Sequence, residues 1–327
     1  MAAADADTEV QIEFFPVIRQ YKSGRVERFM KLNPLPAGVD PATGVTSNDV
    51  AVDPGTGTWA RLFLPPGSDG KKFPVFVYYH GGAFVTGSVA DPFTHRYLVA
   101  LAAEAGVLAV ALEYRLAPEN PLPAAHEDSW EGLRWVASHA AGGGGGGGEG
   151  SEPWLAEHGD FTRVFLAGAS AGGSIVHHIA VRAGFNGGLG VRIRGLLVVH
   201  PCFNGAADIG SEATPAGKAA KEKADAFWRF LCPGTTGLDD PLCNPFSEAA
   251  CGSAARVAAE RVLVCVAEND DFRDRGVWYY ESLRASGYRG EVELLESAGE
   301  GHIFHCIEPR CDRAREMQDR VLGFLRK

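Results

Sequence analysis

The chain has 327 residues, 46% hydrophobic and 22% charged, with a formal net charge of −10. That length suits one α/β domain with an insertion, and the composition excludes disorder over most of the chain. An acidic chain without a basic run is a poor partner for phosphate backbones, so nucleic-acid binding is not expected.

From the N-terminus, residues 1–9 are acidic and alanine-rich, without the basic and apolar stretches of a secretory signal. Residues 17–29 alternate around Ser23-Gly24 and predict a hairpin, with Phe14, Phe15, Ile18 and Phe29 as apolar mass to be buried. Apolar runs and helical patterns then alternate. Strands are predicted at 73–79, 107–114, 163–169, 193–199, 261–267 and 291–295, and helices at 92–105, 124–140, 171–183, 274–286 and 312–325. This rhythm predicts an α/β fold with a mostly parallel central sheet flanked by helices. The most apolar stretch, 97–112, is interrupted by Glu104 and falls short of the about 20 apolar residues of a membrane span, so no membrane association is expected. The sequence closes on Leu325-Arg326-Lys327, so lipidation is not expected.

Two regions break the rhythm. Residues 142–148 are consecutive glycines, read as a surface loop because no Lys-Ser/Thr follows to make a phosphate cradle. Residues 205–256 carry a helical piece at 218–231 and Pro-rich turns, and read as an insertion over the sheet. The seven cysteines (202, 232, 243, 251, 265, 306 and 311) are odd in number and lack Cys-x-x-Cys spacing. They predict reduced thiols and a cytoplasmic protein, with Cys265 in the core.

Gly168-Ala169-Ser170-Ala171-Gly172 follows a predicted strand and opens a predicted helix. That is the context of a nucleophile elbow, in which a strained turn lifts the Ser170 hydroxyl above the sheet and aims the Ala171 N–H at a reacting carbonyl. His80-Gly81-Gly82-Ala83-Phe84 follows the strand at 73–79 and has the pattern of an oxyanion loop. A serine hydroxyl needs a base, and the base an orienting acid. Beyond the last strands only His302 and His305 remain, and the Gly301-His302 loop is the better placed, with His305 read as structural. The acid lies among Glu268, Asp270, Asp271 and Asp274, which residue patterns alone do not separate. His177 and His178 are adjacent on one helix and point to different faces, so they are poor metal partners. His80 is read as a brace for its loop, and no metal cluster is visible.

With Tyr114-Arg115-Leu116-Ala117-Pro118-Glu119, Gly173 and Asp270-Asp271-Phe272-Arg273-Asp274 added, these pieces resemble the plant carboxylesterase family, a branch of the hormone-sensitive-lipase-like α/β-hydrolases. The resemblance spans residues 80–304 and implies Asp270 as the acid, with Phe272 where leucine is usual. It implies a triad of Ser170, Asp270 and His302, an oxyanion hole from the N–H groups of Gly82, Ala83 and Ala171 shaped by Gly81, and no cofactor. Arg115 and Glu119 are expected to form a bracing ion pair. The expected substrate is a small-molecule carboxylic ester, in a single α/β-hydrolase domain capped by about 1–45 and about 205–256. Apolar lining is expected from Phe14, Phe15, Ile18, Phe227, Trp228, Phe230 and Leu231. Pockets of ~300–1,000 Å³ would then limit acyl chains to roughly eight carbons. Gibberellin receptors resemble the family but lack the catalytic histidine, which His302 supplies here. A dehydratase reading on the same scaffold, as in 2-hydroxyisoflavanone dehydratases, stays open.

Overall fold

In the computed structural model, residues 8–30, 33–140 and 152–327 are described. The run at 142–148 lies outside them. Three short strands, β1 (Val10–Phe14), β2 (Ile18–Tyr21) and β3 (Val26–Arg28), form a separate antiparallel sheet. The predicted hairpin is its β2–β3 half, and β1 is an addition.

The main sheet has eight strands: β4 (Thr46–Asp53), β5 (Thr58–Leu64), β6 (Phe73–Tyr79), β7 (Leu108–Leu112), β8 (Gly159–Ala169), β9 (Ile193–Val199), β10 (Arg261–Ala267) and β11 (Glu291–Ser297). Their order is β11-β10-β9-β8-β6-β7-β5-β4. The six strands from β11 to β7 are parallel, and β5 and β4 are antiparallel to their neighbours. Sequence periodicity missed β4 and β5. The helices are α1 (Pro92–Ala105), α2 (Ala124–Ser138), α3 (Pro153–His158), α4 (Ala171–Phe185), α5 (Pro215–Leu231), α6 (Arg273–Ala285), α7 (Phe304–Ile307) and α8 (Asp312–Arg326).

Both faces of the sheet are buried, which is why its parallel strands read as continuous apolar runs. Along β6, Val75, Val77 and Tyr79 enter one core with α2 and α4 residues, and Phe76 and Tyr78 enter the other with α1 and α8 residues. All seven cysteines are free thiols, and Cys265 is buried. Among the described residues, no helix is long and apolar enough to cross a membrane.

Five histidines, His80, His126, His177, His200 and His305, are buried. Burial pushes His80 and His305 down to about 4, and holds His126, His177 and His200 well below the usual imidazole range. Each ring therefore binds a proton more weakly folded than unfolded. As pH falls below the unfolded value of about 6.5, the unfolded chain takes up more protons, and stability drops until the folded rings titrate. The melting temperature should fall steadily between pH 7 and pH 4.5 in scanning calorimetry. A melting temperature that stays level over that range would contradict neutral buried rings.

Candidate active site

The site residues all leave the carboxyl ends of parallel strands. Ser170 follows β8, His80 to Ala83 follow β6, Asp270 follows β10, and His302 follows β11. In an open parallel sheet this edge forms the crevice where ligands bind.

Ser170 sits at φ 57, ψ −121 between β8 and α4, with its N–H donating to the Val199 carbonyl at 2.9 Å. The glycines around it are required by close approach. A Cβ at Gly168 would lie 2.4 Å from the Gly172 carbonyl oxygen, and one at Gly172 would lie 2.0 Å from the Tyr79 carbonyl oxygen. Strand and helix therefore touch backbone to backbone, which forces the strained turn at Ser170. Ala171 is the first residue of α4, where unpaired N–H groups and the helix dipole favour negative charge.

The loop after β6 is also strained. Gly82 has φ 119, and Ala83 and Phe84 follow at φ 53 and φ 62. A side chain at Gly82 would strike the Thr86 carbonyl oxygen at 2.0 Å, so only glycine fits. Gly81 lies against the serine turn, where an added Cβ would be 3.3 Å from the Ser170 Cβ. Among the described residues, the N–H groups of Gly82 and Ala83 have no acceptor. His80 braces this loop. Its Nδ1 is 2.7 Å from the Gly81 carbonyl oxygen, and its ring stacks on Tyr114 at 4.1 Å. The Tyr114 hydroxyl donates to the His80 carbonyl at 2.8 Å.

Asp270 and His302 meet. His302 Nδ1 lies 2.8 Å from Asp270 Oδ2, and Asp270 Oδ1 accepts the Phe272 N–H at 3.0 Å. The Asp270 side chain is 1% exposed and that of His302 is 32% exposed, so the carboxylate is dry while the imidazole reaches the cavity. Asp271 is exposed. Asp274 faces elsewhere and accepts the Ser211 N–H and hydroxyl at 2.8 and 2.7 Å. Beside it, Arg275 grips Glu212 with two bonds of 2.6 Å and donates to the carbonyls of Gly205 and Ala207. These contacts tie the 205–212 segment to the start of α6.

Three expectations are corrected. Arg115 does not pair with Glu119 but makes a forked ion pair with Asp128 of α2, at 2.7 and 2.8 Å. Glu119 is taken by Arg28 at 2.6 Å, and Arg28 also donates to the Val85 and Ala117 carbonyls. Arg28 thus fastens the N-terminal sheet to the loop after β6. The cavity is also larger than expected, about 2070 Å³. Ser170, Asp270 and His302 line it with Gly81, Gly82, Ala83, Phe14, Phe15, Phe227, Trp228 and Leu231. Ile18 and Phe230 do not: Ile18 is buried in the core, and Phe230 packs its ring 5.4 Å from Phe14.

Sequence reasoning overlooked His200, which follows β9 and lies beside the pair. Its Nδ1 is 4.0 Å from Asp270 Oδ2. Donor atoms of His200, Asp270 and His302 all lie within 4.8 Å, a grouping that could hold a metal ion. They already satisfy local bonds, because His302 Nδ1 is paired with Asp270 and His200 Nδ1 accepts the Ile303 N–H.

A family profile described as the alpha/beta hydrolase fold matches residues 76–306. Over 98% of this chain and 79% of the relative, the sequence is 44% identical to tuliposide A-converting enzyme 1, chloroplastic, of Tulipa gesneriana. It is 40% identical to 2-hydroxyisoflavanone dehydratase of Glycyrrhiza echinata over 99% of this chain and all of the relative. It is 39% identical to probable carboxylesterase 2 of Arabidopsis thaliana over 94% of each. The chain belongs to the plant carboxylesterase family of α/β-hydrolases. A solved structure of a hyperthermophilic esterase from Pyrobaculum calidifontis shares the fold at a TM-score of 0.67 and 27% identity, covering 85% of this chain and 84% of that one. The similarity to these relatives runs over nearly the whole chain, well beyond the short motifs between residues 80 and 304.

Proposed function

We propose that this protein is a serine carboxylesterase that cleaves small, mostly apolar carboxylic esters through an acyl-enzyme. The observation that carries the reading is the buried Asp270 bonded to a cavity-facing His302 in the same cavity as Ser170. Asp270 holds Nδ1 of the imidazole, leaving Nε2 to take the Ser170 proton as the hydroxyl attacks the ester carbonyl. The N–H groups of Gly82 and Ala83, without an acceptor among the described residues, are suited with that of Ala171 at the helix start to the developing oxyanion. His302 then passes the proton to the leaving alcohol. Water, activated by the same imidazole, hydrolyses the acyl-enzyme and frees Ser170. An intact Asp270–His302 pair favours a catalytic role over that of a hormone receptor.

The N-terminal sheet and the 205–256 insertion act together as a cap. Phe14 of β1 packs edge-on to Phe227 of α5 at 4.8 Å, and both line the cavity. A short p-nitrophenyl ester tests the activity, with Ser170→Ala as the control: hydrolysis by the parent and none above background by the variant is the expected pair of results. Wild-type turnover in the variant would remove serine catalysis.

The cavity volume changes the expected substrate size. At about 2070 Å³ it exceeds the ~300–1,000 Å³ typical of small-ligand pockets, so total volume does not restrict acyl chains to eight carbons. An ester with a bulky aromatic alcohol, such as a naphthyl ester, should be cleaved with kcat/KM at least equal to that of the p-nitrophenyl ester of the same acid. A loss of more than roughly tenfold on that enlargement would show that a local wall, not the cavity, sets the limit.

A further inference from the structure

We propose that His200 is a positioning residue for His302, acting through the backbone N–H of Ile303; the inference rests on the esterase reading of the same site. His200 closes β9 in a left-handed conformation, φ 44. Its N–H donates to the Cys265 carbonyl of β10 at 2.8 Å, and the carbonyl just before it accepts the Ser170 N–H at 2.9 Å. Its backbone is thus built into both the serine turn and the strand that carries Asp270. From that fixed point the ring reaches the third strand end, where Nδ1 accepts the Ile303 N–H at 2.9 Å.

Ile303 needs such a partner. It sits at φ 49, ψ 27, a region costly for a β-branched side chain. A residue in that state persists only where its surroundings hold it. The bond to His200 holds the peptide that joins His302 to Ile303, and so fixes the direction from which the His302 ring leaves the backbone. Small errors in that direction are expensive, because a displacement of about 1 Å in a reacting group costs on the order of a hundredfold in rate.

The ring's surroundings define its chemical state. Nδ1 accepts a hydrogen bond and therefore carries no proton, so a neutral His200 carries its proton on Nε2. That nitrogen is buried with no partner among the described residues. An orphaned donor is destabilising, and a phenylalanine here would avoid it. Its presence fits a ring whose Nδ1 has a task that an apolar side chain cannot perform. The groups around the ring are Asp270, with Oδ2 at 4.0 Å, His302 at 5.8 Å, His305 at 5.6 Å and the stacked Phe304 at 5.8 Å. A charged His200 would lose the bond to Ile303 and place a second cation against Asp270, in competition with His302. A neutral ring leaves that carboxylate to His302 alone.

Two variants and one spectrum of the full-length protein test this. His200→Leu fills most of the space but leaves the Ile303 N–H unpaired. It should lower kcat on a short p-nitrophenyl ester by roughly 10- to 100-fold, with KM changed less than about threefold. His200→Asn puts an amide oxygen near the place of Nδ1 and should recover most of that loss. Wild-type kcat in His200→Leu, or equal impairment in both variants, would overturn the proposal. Independently of how the variants fold, long-range proton–nitrogen spectra of the ¹⁵N-histidine-labelled parent should show His200 protonated at Nε2 and bare at Nδ1 from pH 6 to pH 8. A proton on Nδ1 would overturn it. If Ser170→Ala kept full activity, the esterase reading would fall, while the spectrum would still decide the state of His200.

Discussion

Ser170→Ala should lower turnover of a short p-nitrophenyl ester by roughly a million-fold, the scale seen when the nucleophile of a serine hydrolase is removed. The proposed chemistry routes every turnover through this one hydroxyl. The strained turn at φ 57 presents the Ser170 hydroxyl to the cavity that His302 also lines. What survives should be the small acceleration that binding and the oxyanion donors give to attack by water. Stopped assays with enzyme in excess can measure such rates. A loss below about a hundredfold would assign the chemistry to another residue.

Asp270→Asn should cost about four orders of magnitude in kcat, as in other triads whose acid is neutralised without a change of shape. An amide nitrogen or oxygen facing His302 Nδ1 no longer fixes the tautomer that leaves Nε2 free. The neighbouring carboxylates provide the contrast. Asp271 is exposed, and Asp271→Asn should stay within about threefold of the parent, because it leaves the Asp270–His302 bond intact. Asp274→Asn weakens the tether to Ser211 and should act on KM more than on kcat. Parallel kinetics of the three variants distinguish these roles. A larger loss in Asp271→Asn than in Asp270→Asn would displace the acid by one residue.

Local features of the chain were legible where neighbours in sequence are neighbours in space. The serine turn is one: Gly168 and Gly172 are needed because strand and helix meet within five residues, so the motif and its steric reason coincide. Helices with clear apolar faces and the parallel strands of the sheet were read to within a few residues of their ends, whereas β5, though buried, was missed because Thr58 and Arg61 interrupt its apolar run. β4 was missed because Thr46–Asp53 lies at the sheet edge and carries Ser47, Asn48 and Asp49 where an inner strand would be apolar. Features that depend on distant partners were also missed. Arg115 and Glu119 are close in sequence, yet Asp128 takes the first and Arg28, from the N-terminal sheet, takes the second. His200 meets Ile303 across 103 residues, and a lone His-Pro after a strand gives no hint of that contact. The choice of Asp270 among its neighbours came from family resemblance; in the structure its Oδ2 lies 2.8 Å from His302 Nδ1.

The most direct test of the central claim is covalent. Incubating the protein with a fluorophosphonate, followed by intact-mass measurement and peptide mapping, should give one adduct per chain, on Ser170, with ester hydrolysis lost in proportion to labelling. A label on any other residue, or full hydrolysis by the labelled protein, would contradict Ser170 as the nucleophile and with it the proposed mechanism.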